Sequence, residues 1–362
     1  SLTSPLRRGA GESLQRQKKA MRELAIGGWK DEATEEVQGV IERNSVLVTA
    51  VTASAGIKAV SFPPTKDLGV DSPRPPFELL ETVAYFLTAN ARMVEGVGQI
   101  DEAMARLCET AVLGERFCRP RDEACLNGHL AGLAMIDLSL NGMMKIMAKR
   151  APGDAALQEC YKRLTEIDND LIPVTQALEA DADVFAKEII SRADSPSRLS
   201  SGLQFYDKNL TAEAALQKAR DAGADMPTFD VEQAKLWAEI SRIMSQPFYA
   251  RPVLDAAWLD KQTTNRLAKL YFPDVETLAV REAATHARLR LLRAACLEAL
   301  GRTNEAQALA DPFSGKPILV TEKFAYSVGP DGKDDRGAVF YEPAQGALSN
   351  GDIVAFFPPI VE

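Results

Sequence analysis

The chain has 362 residues, of which 46% are hydrophobic and 26% charged, a globular composition and a length sufficient for two or three domains. Its 51 acidic residues outnumber its 42 basic ones, giving a net charge of −9. Since nucleic-acid binders usually carry a basic domain or stripe, we expect no nucleic-acid partner. The two histidines, His129 and His286, argue against a site built from several imidazoles.

Helical periodicity dominates the first part of the chain. Residues 11–53 show a helical pattern that is broken at Gly27 and Gly28. The five prolines of residues 62–76 indicate an exposed linker. Residues 77–117 form the next long helical pattern, which we expect to be interrupted near Gly96–Gly98.

Further helices are predicted as far as residue 300, with apolar residues at spacings of three and four. A loop is predicted at residues 195–202, which are rich in serine and contain one proline and one glycine. The predicted helices cover residues 121–149, 153–191, 211–222, 230–245, 252–270 and 274–300.

The most apolar of these segments is His129–Ala148. It contains Asp137, Asn141 and Lys145, and charged groups are costly at the centre of a membrane helix. No stretch of 18 or more uncharged apolar residues occurs elsewhere, so we predict no transmembrane segment and interpret this one as a buried core helix. The chain begins at Ser1 without methionine, which leaves open whether a signal or membrane anchor preceded it.

The cysteines fit neither a zinc site nor a dense disulfide framework. Cys118 and Cys125 flank a short Arg-Pro-Arg break between two helical patterns, so a disulfide between them would clip a helix–helix turn. The alternative, that both are small buried thiols, stays open. The five cysteines are Cys108, Cys118, Cys125, Cys160 and Cys296.

The character of the chain changes at Asp311. A turn-forming string, DPFSGKP, precedes two runs rich in β-branched and aromatic residues, Ile318–Thr321 and Phe324–Val328, which predict a β-hairpin. Val339–Tyr341 and Ile353–Phe357 are predicted as further short strands. The predicted fold is therefore mainly α, an irregular multi-helix bundle with a small antiparallel β appendage. The predicted domain boundaries divide the chain into 1–195, 196–310 and 311–362, where 196–310 is a second helical domain or a continuation of the first.

Aspartates cluster around this predicted sheet. Like charges on a tight loop repel each other unless they are solvated or share a cation, and calcium accepts six to eight oxygen ligands with loose geometry. The alternative is that Asp-Gly pairs are turn formers whose carboxylates bind their own backbone. The aspartates are Asp331, Asp334, Asp335 and Asp352.

The strings DPFSGKP, YSVGPDGKDD and GDIV resemble the carboxyl-terminal region of the major pseudopilins of type II secretion systems. The resemblance covers about residues 311–357 and extends to bacterial envelope proteins in which a helical region precedes such a tail. It implies a calcium site and an extracytoplasmic location. By position it assigns the ligands to the backbone carbonyl of Val328, to Asp331 and to Asp352, completed by Asn350, Asp334 or Asp335.

The helical part lacks the common catalytic motifs GxSxG, GxxxxGK[ST], HExxH and GxGxxG. We therefore expect a non-enzymatic extracytoplasmic scaffold or partner-binding protein, linked to secretion or envelope machinery and binding a protein partner. The alternative is an enzyme whose site lies in the bundle, favoured if one pocket holds His129, Asp137 and Asn141. His286 is predicted to be a partly buried packing residue, because no carboxylate lies at orienting distance along its helix.

Overall fold

The structure is a computed structural model that describes residues 11–27, 31–54, 77–118, 126–193, 195–197, 200, 211–223, 225–270, 272–342 and 348–358. The described residues form fourteen α-helices and one three-stranded antiparallel sheet near the carboxyl terminus. This confirms the prediction of a mainly α protein with a small β appendage. The predicted linker at 62–76 and part of the loop at 195–202 lie outside the described residues.

The residues described up to position 193 form eight helices. Gly98, with φ of 86°, separates the fourth from the fifth, so the predicted interruption near Gly96–Gly98 is confirmed. The helices are α1 (Gly11–Gly27), α2 (Asp31–Arg43), α3 (Ser45–Ser54), α4 (Phe77–Gly96), α5 (Ile100–Cys118), α6 (Leu126–Met147), α7 (Asp154–Asp170) and α8 (Val174–Ala193).

The prediction of one helix over 153–191 is wrong, because α7 and α8 are separate elements. Leu171 leaves the helical region with ψ of 117°. The proline ring of Pro173 disfavours helical backbone at the residue before it and removes a backbone donor, so the chain breaks here despite continuous apolar periodicity.

Six further helices follow among the described residues after position 193. The prediction of one helix over 252–270 is also wrong, because Thr263 and Asn265 lie in a break between two short helices. Asn265 accepts a hydrogen bond from the backbone N–H of Ala268 at 2.8 Å, which starts the second of them. The helices are α9 (Ala212–Gly223), α10 (Met226–Met244), α11 (Ala256–Gln262), α12 (Arg266–Leu270), α13 (Val275–Ala299) and α14 (Thr303–Ala306).

Helix α6 lies inside the bundle. By length and composition it is the one helix among the described residues that could cross a membrane, yet 56% of its most apolar window is buried inside the protein. A β-carbon at Gly132 would collide with the carbonyl oxygen of Gly114 on α5, so the two helices approach closely because both positions lack a side chain. These contacts fit the prediction of a core helix.

Helix α13 is the central element, because it is buried on two sides. Leu289 and Leu292 belong to the hydrophobic cluster of α5, α6 and α7. Ala287 and Leu291 belong to a second cluster that they share with the carboxyl-terminal sheet. The helix therefore connects the bundle to the tail, defined here as residues 311–358.

The sheet consists of β1 (Leu319–Val320), β2 (Phe324–Ser327) and β3 (Ile353–Phe356), in the order β1-β2-β3. The predicted hairpin is confirmed, as is the last strand. The strand predicted at Val339–Tyr341 is reduced to a single parallel bridge between Phe340 and Asp352. The register pairs Ala325 with Ala355, and both pack against α13.

Candidate binding cleft

A cleft of about 630 Å³ lies where the tail meets helices α4, α6 and α13. Its walls are apolar and aromatic, with a few polar groups, which is the usual composition of a ligand-binding site. The side chains that matter for its chemistry are Tyr85, Asp137, Asn141, Arg281, Arg288, Phe340 and Tyr341.

Asp137 is held in place by helix α13. Its Oδ1 accepts a hydrogen bond from the hydroxyl of Thr285 at 2.9 Å and lies 3.1 Å from Nη1 of Arg288. A largely buried carboxylate is stable only if it is paired. Asp137 therefore joins α6 to α13, and both of its contacts come from one face of α13.

Arg288 also contacts the tail. Its guanidinium lies over the ring of Tyr341, 5.5 Å from the ring centroid. Burial raises the pKa of Tyr341, although the charge of Arg288 opposes this effect. The backbone N–H of Tyr341 donates to the carbonyl oxygen of Asp352 at 2.8 Å, which fixes the ring against β3. Arg288 thus connects helices α6 and α13 to the tail at the floor of the cleft.

Two polar groups in the cleft have no matching partner among the described residues. Arg281 forms no ion pair there and only donates to the carbonyl oxygen of Leu130 at 3.4 Å. The side-chain amide of Asn141 makes no hydrogen bond to a described residue and lines the cleft. The cleft therefore presents Arg281 and the amide of Asn141 together with aromatic rings, and the side chain of Glu81 also lines it.

His129 is not among the residues that line the cleft. It is 1% exposed, and neither ring nitrogen has a hydrogen-bond partner among the described residues. Burial lowers its pKa to about 4, so the imidazole is neutral at pH 7. The structure therefore brings together Asp137 and Asn141 of the predicted pocket but leaves out the imidazole that the enzyme alternative requires.

Two of the predicted calcium ligands accept hydrogen bonds from their own turns. Asp331 accepts from the backbone N–H of Lys333 at 3.2 Å, and Asp334 accepts from that of Arg336 at 2.9 Å. Asp334 also accepts from the hydroxyl of Tyr326 at 3.1 Å, which holds the loop over the outer face of the sheet. These contacts match the turn-forming alternative at both positions.

The other predicted calcium ligands differ in how far their side chains are buried. Asp352 is 1% exposed, and its Oδ2 accepts a 2.7 Å hydrogen bond from the backbone N–H of Gly337. Burial raises the pKa of Asp352, and the backbone N–H groups of Gly337 and Asp335 oppose the rise. Val328 is buried and Asn350 is exposed. The described residues contain no group of three or more His, Cys, Asp or Glu side chains that could hold a metal ion, and the calcium site stays a prediction.

Cys118 is a free and buried thiol whose Sγ lies 3.4 Å from the carbonyl oxygen of His129. Burial raises the pKa of Cys118 well above its ordinary value. Cys125 lies outside the described residues. The buried-thiol alternative thus describes Cys118.

The sequence argument missed the partner of His286. Nδ1 of His286 lies 2.7 Å from Oδ1 of Asp168, at the end of α7. Arg290 and Arg293 contact the other oxygen of Asp168 at 3.1 and 2.6 Å. The prediction considered only carboxylates along the helix, whereas this one lies 118 residues away. Nothing in the local pattern around Asp168 distinguishes it from the acidic residues of an exposed helix end.

Comparison of the chain with known protein families, characterised proteins and solved structures finds no match. The resemblance of the tail to pseudopilins therefore depends on its motifs alone.

Proposed function

We propose that the protein is a non-enzymatic scaffold or partner-binding protein of the bacterial cell envelope, and that its cleft receives a segment of a protein partner. The observation that carries the proposal is the exposed ring of Phe340, which lines the same cleft as Arg281, a cation without an ion-pair partner among the described residues. Large apolar side chains that remain exposed beside a groove are typical of interaction sites.

Exposed apolar side chains of the tail support this proposal. Phe340 is 59% exposed and its neighbour Val339 is 47% exposed. Leu348, on the same tail, is 81% exposed. Burying such side chains against a partner would contribute about 1.5–3 kcal/mol each for full burial. The tail would thus supply apolar binding energy to an interface.

The floor of the cleft gives the expected chemistry of the partner. The guanidinium of Arg281 would pair with a carboxylate of the partner, and the amide of Asn141 can both donate and accept hydrogen bonds. Tyr85, Phe340 and Tyr341 offer aromatic surfaces. We therefore expect a segment that carries an aromatic or aliphatic side chain next to an acidic one.

The extracytoplasmic location and the calcium site are parts of the proposal that depend on the resemblance of the tail to pseudopilins. Cell fractionation tests the first, since recovery in the cytoplasmic fraction would contradict it. Thermal melting in millimolar calcium and in chelator tests the second. A calcium-stabilised tail requires a higher melting temperature with calcium, by mass action, whereas carboxylates that serve only as turn formers leave the two curves superimposed.

Site-directed photo-crosslinking in the native cells tests the docking site. A photoreactive phenylalanine analogue is placed at Phe340, and the matched control carries it at Val231, which is 58% exposed on α10. We expect a discrete protein adduct from the first position and not from the second. The adduct should disappear in the Arg281→Glu background, provided that the melting temperature is unchanged.

Two results would contradict the proposed site. One is the same set of adducts from Phe340 and Val231, which would mean random collisions. The other is an adduct that persists undiminished when the charge of Arg281 is reversed.

A further inference from the structure

A second cavity, of about 270 Å³, lies beside the DPFSG turn and residues 246–251. It is on the opposite face of α13 from Arg288, which pairs with Asp137 in the cleft. Drug-sized ligands occupy sites of roughly 300–1,000 Å³. This cavity therefore suits a smaller molecule. Glu282 and His286, one helical turn apart on α13, both line it.

The imidazole of His286 is fixed with one nitrogen free. Burial alone would raise the pKa of Asp168, but the hydrogen bond from His286 and the charges of Arg290 and Arg293 outweigh it and lower that pKa. Nδ1 of His286 lies 2.7 Å from Oδ1 of Asp168, which leaves Nε2 as the nitrogen available to a ligand. Nε2 makes no hydrogen bond to any described residue.

Glu282 also has one free oxygen. Its Oε2 accepts a hydrogen bond from the backbone N–H of Val174 at 2.8 Å, at the start of α8. No described residue donates to Oε1. Burial raises the pKa of Glu282, so a donor supplied by a ligand would stabilise its carboxylate form.

Most of the other charged groups around the cavity already have hydrogen-bond or ion-pair partners, and Arg290 shares Asp168 with Arg293. Arg251 forms a bidentate pair with Glu276, at 2.8 and 3.1 Å. Asp311 accepts from the hydroxyls of Ser327 and Ser314, at 2.6 and 2.7 Å. The cavity thus offers Oε1 of Glu282 and Nε2 of His286 as free hydrogen-bonding atoms, and the carboxylate of Glu282 favours a neutral ligand with hydroxyl groups over an anionic one.

An aromatic wall completes the cavity. Tyr249 is 54% exposed, and its ring packs against Gly315, where a β-carbon would lie 2.5 Å from the ring. Phe248 is held by Arg251 on its face, at 4.4 Å, and by the edge contact with Phe313, at 4.9 Å. A half-exposed aromatic ring beside free hydrogen-bonding groups suits a flat ligand with an apolar face and hydroxyl groups.

We propose that this cavity binds one neutral sugar ring, whose adjacent hydroxyls form hydrogen bonds with Oε1 of Glu282 and Nε2 of His286 while its apolar face lies against Tyr249. This site is separate from the partner-binding cleft and does not depend on the function proposed for it. A ring suits the aromatic wall better than an open-chain polyol, because its C–H groups form one continuous face.

The two histidines of the chain make the site observable by nuclear magnetic resonance of protein labelled with ¹⁵N-histidine. D-glucose, D-galactose and D-mannose are titrated separately, and sorbitol and acetate serve as open-chain and anionic probes. We expect at least one of the sugars to shift Nε2 of His286 in a saturable manner and to leave His129 unchanged.

Three variants test the assigned contacts. Glu282→Gln and Tyr249→Ala should each weaken sugar binding by about tenfold or more, the first by removing an acceptor and the second by removing the aromatic wall. Tyr249 is half exposed, so its variant tests the site without disturbing the core. The matched control Glu239→Gln, whose carboxylate contacts Arg242 on the surface of α10, should bind like the original protein.

The proposal is overturned if none of the three sugars gives a saturable shift, or if both cavity variants bind as tightly as the control. Sorbitol binding as tightly as the best sugar would overturn the ring assignment. Acetate binding more tightly than every sugar would identify an anion site instead.

Discussion

His129 couples the stability of the protein to pH, because it is buried without a charge. Its ring is 1% exposed, and burial lowers its pKa from 6.5 to about 4. The positive charges of Arg281 and His286 act in the same direction. The folded protein therefore protonates this ring only well below the pH at which the unfolded chain does.

The direction of the effect follows from proton binding. Between pH 6.5 and pH 4 the unfolded chain carries a proton on His129 that the folded protein lacks, so acidification favours the unfolded state. The gap between 6.5 and about 4, at about 1.36 kcal/mol per pKa unit, corresponds to a loss of about 3 kcal/mol. This contribution is fully retained above pH 6.5.

Urea unfolding at pH 7, 6, 5 and 4 measures the effect in the original protein and in His129→Leu. Leucine is apolar and close in size, so the variant lacks the titrating group while keeping the site filled. As the pH falls from 7 to 4, we expect the variant to gain about 3 kcal/mol relative to the original protein. Stability curves that stay parallel over this range would refute the reasoning, because all other titrating groups are common to both proteins.

Three further predictions concern the core and the tail. Asp137→Leu leaves the charge of Arg288 unpaired and should lower the free energy of unfolding, measured in urea, by about 3 kcal/mol. Adding Arg288→Met should restore most of this loss, and equal stability of the single and double variants would contradict the prediction. Gly329 and Gly332 have φ of 67° and 66°, so substitution by alanine should cost about 1 kcal/mol of backbone strain at each position. Only at Gly329 would the added β-carbon also collide with the carbonyl oxygen of Gly351. Thermal melting should therefore show a clearly larger loss for Gly329→Ala, and equal losses would argue against the close contact. The buried cysteines are Cys108, Cys118, Cys160 and Cys296. A thiol reagent should leave them unmodified in the folded protein and react with all of them in urea. Rapid labelling of any of them in the folded protein would contradict their burial.

The two helices that were predicted too long show the limit of periodicity. Apolar spacing continues through Pro173 and through Asn265, so the pattern alone favours one helix in each place. The breaks come from a missing backbone donor at the first site and a side-chain cap at the second. Both signals are local and visible in the sequence, but each competes with a pattern that points the other way.

The candidate sites were less predictable than the elements. The enzyme alternative required one pocket to hold His129, Asp137 and Asn141, and of these three residues Asp137 and Asn141 line one cleft. His129 does not line this cleft, because it is buried on a different face of the same helix. Arg281, Arg288 and Tyr341 were not predicted, since their places in the cleft depend on how α13 and the tail pack.

The sequence by itself determined the local structure: the helical segments, the hairpin after DPFSGKP and the turns at the aspartates. These depend on neighbouring residues, whose backbone preferences and apolar spacing act over a few positions. The tertiary structure alone decided which side chains meet, as in the contact between Asp168 and His286 across 118 residues. Such pairs form because helix packing closes the distance, and no short-range pattern records which faces will come together.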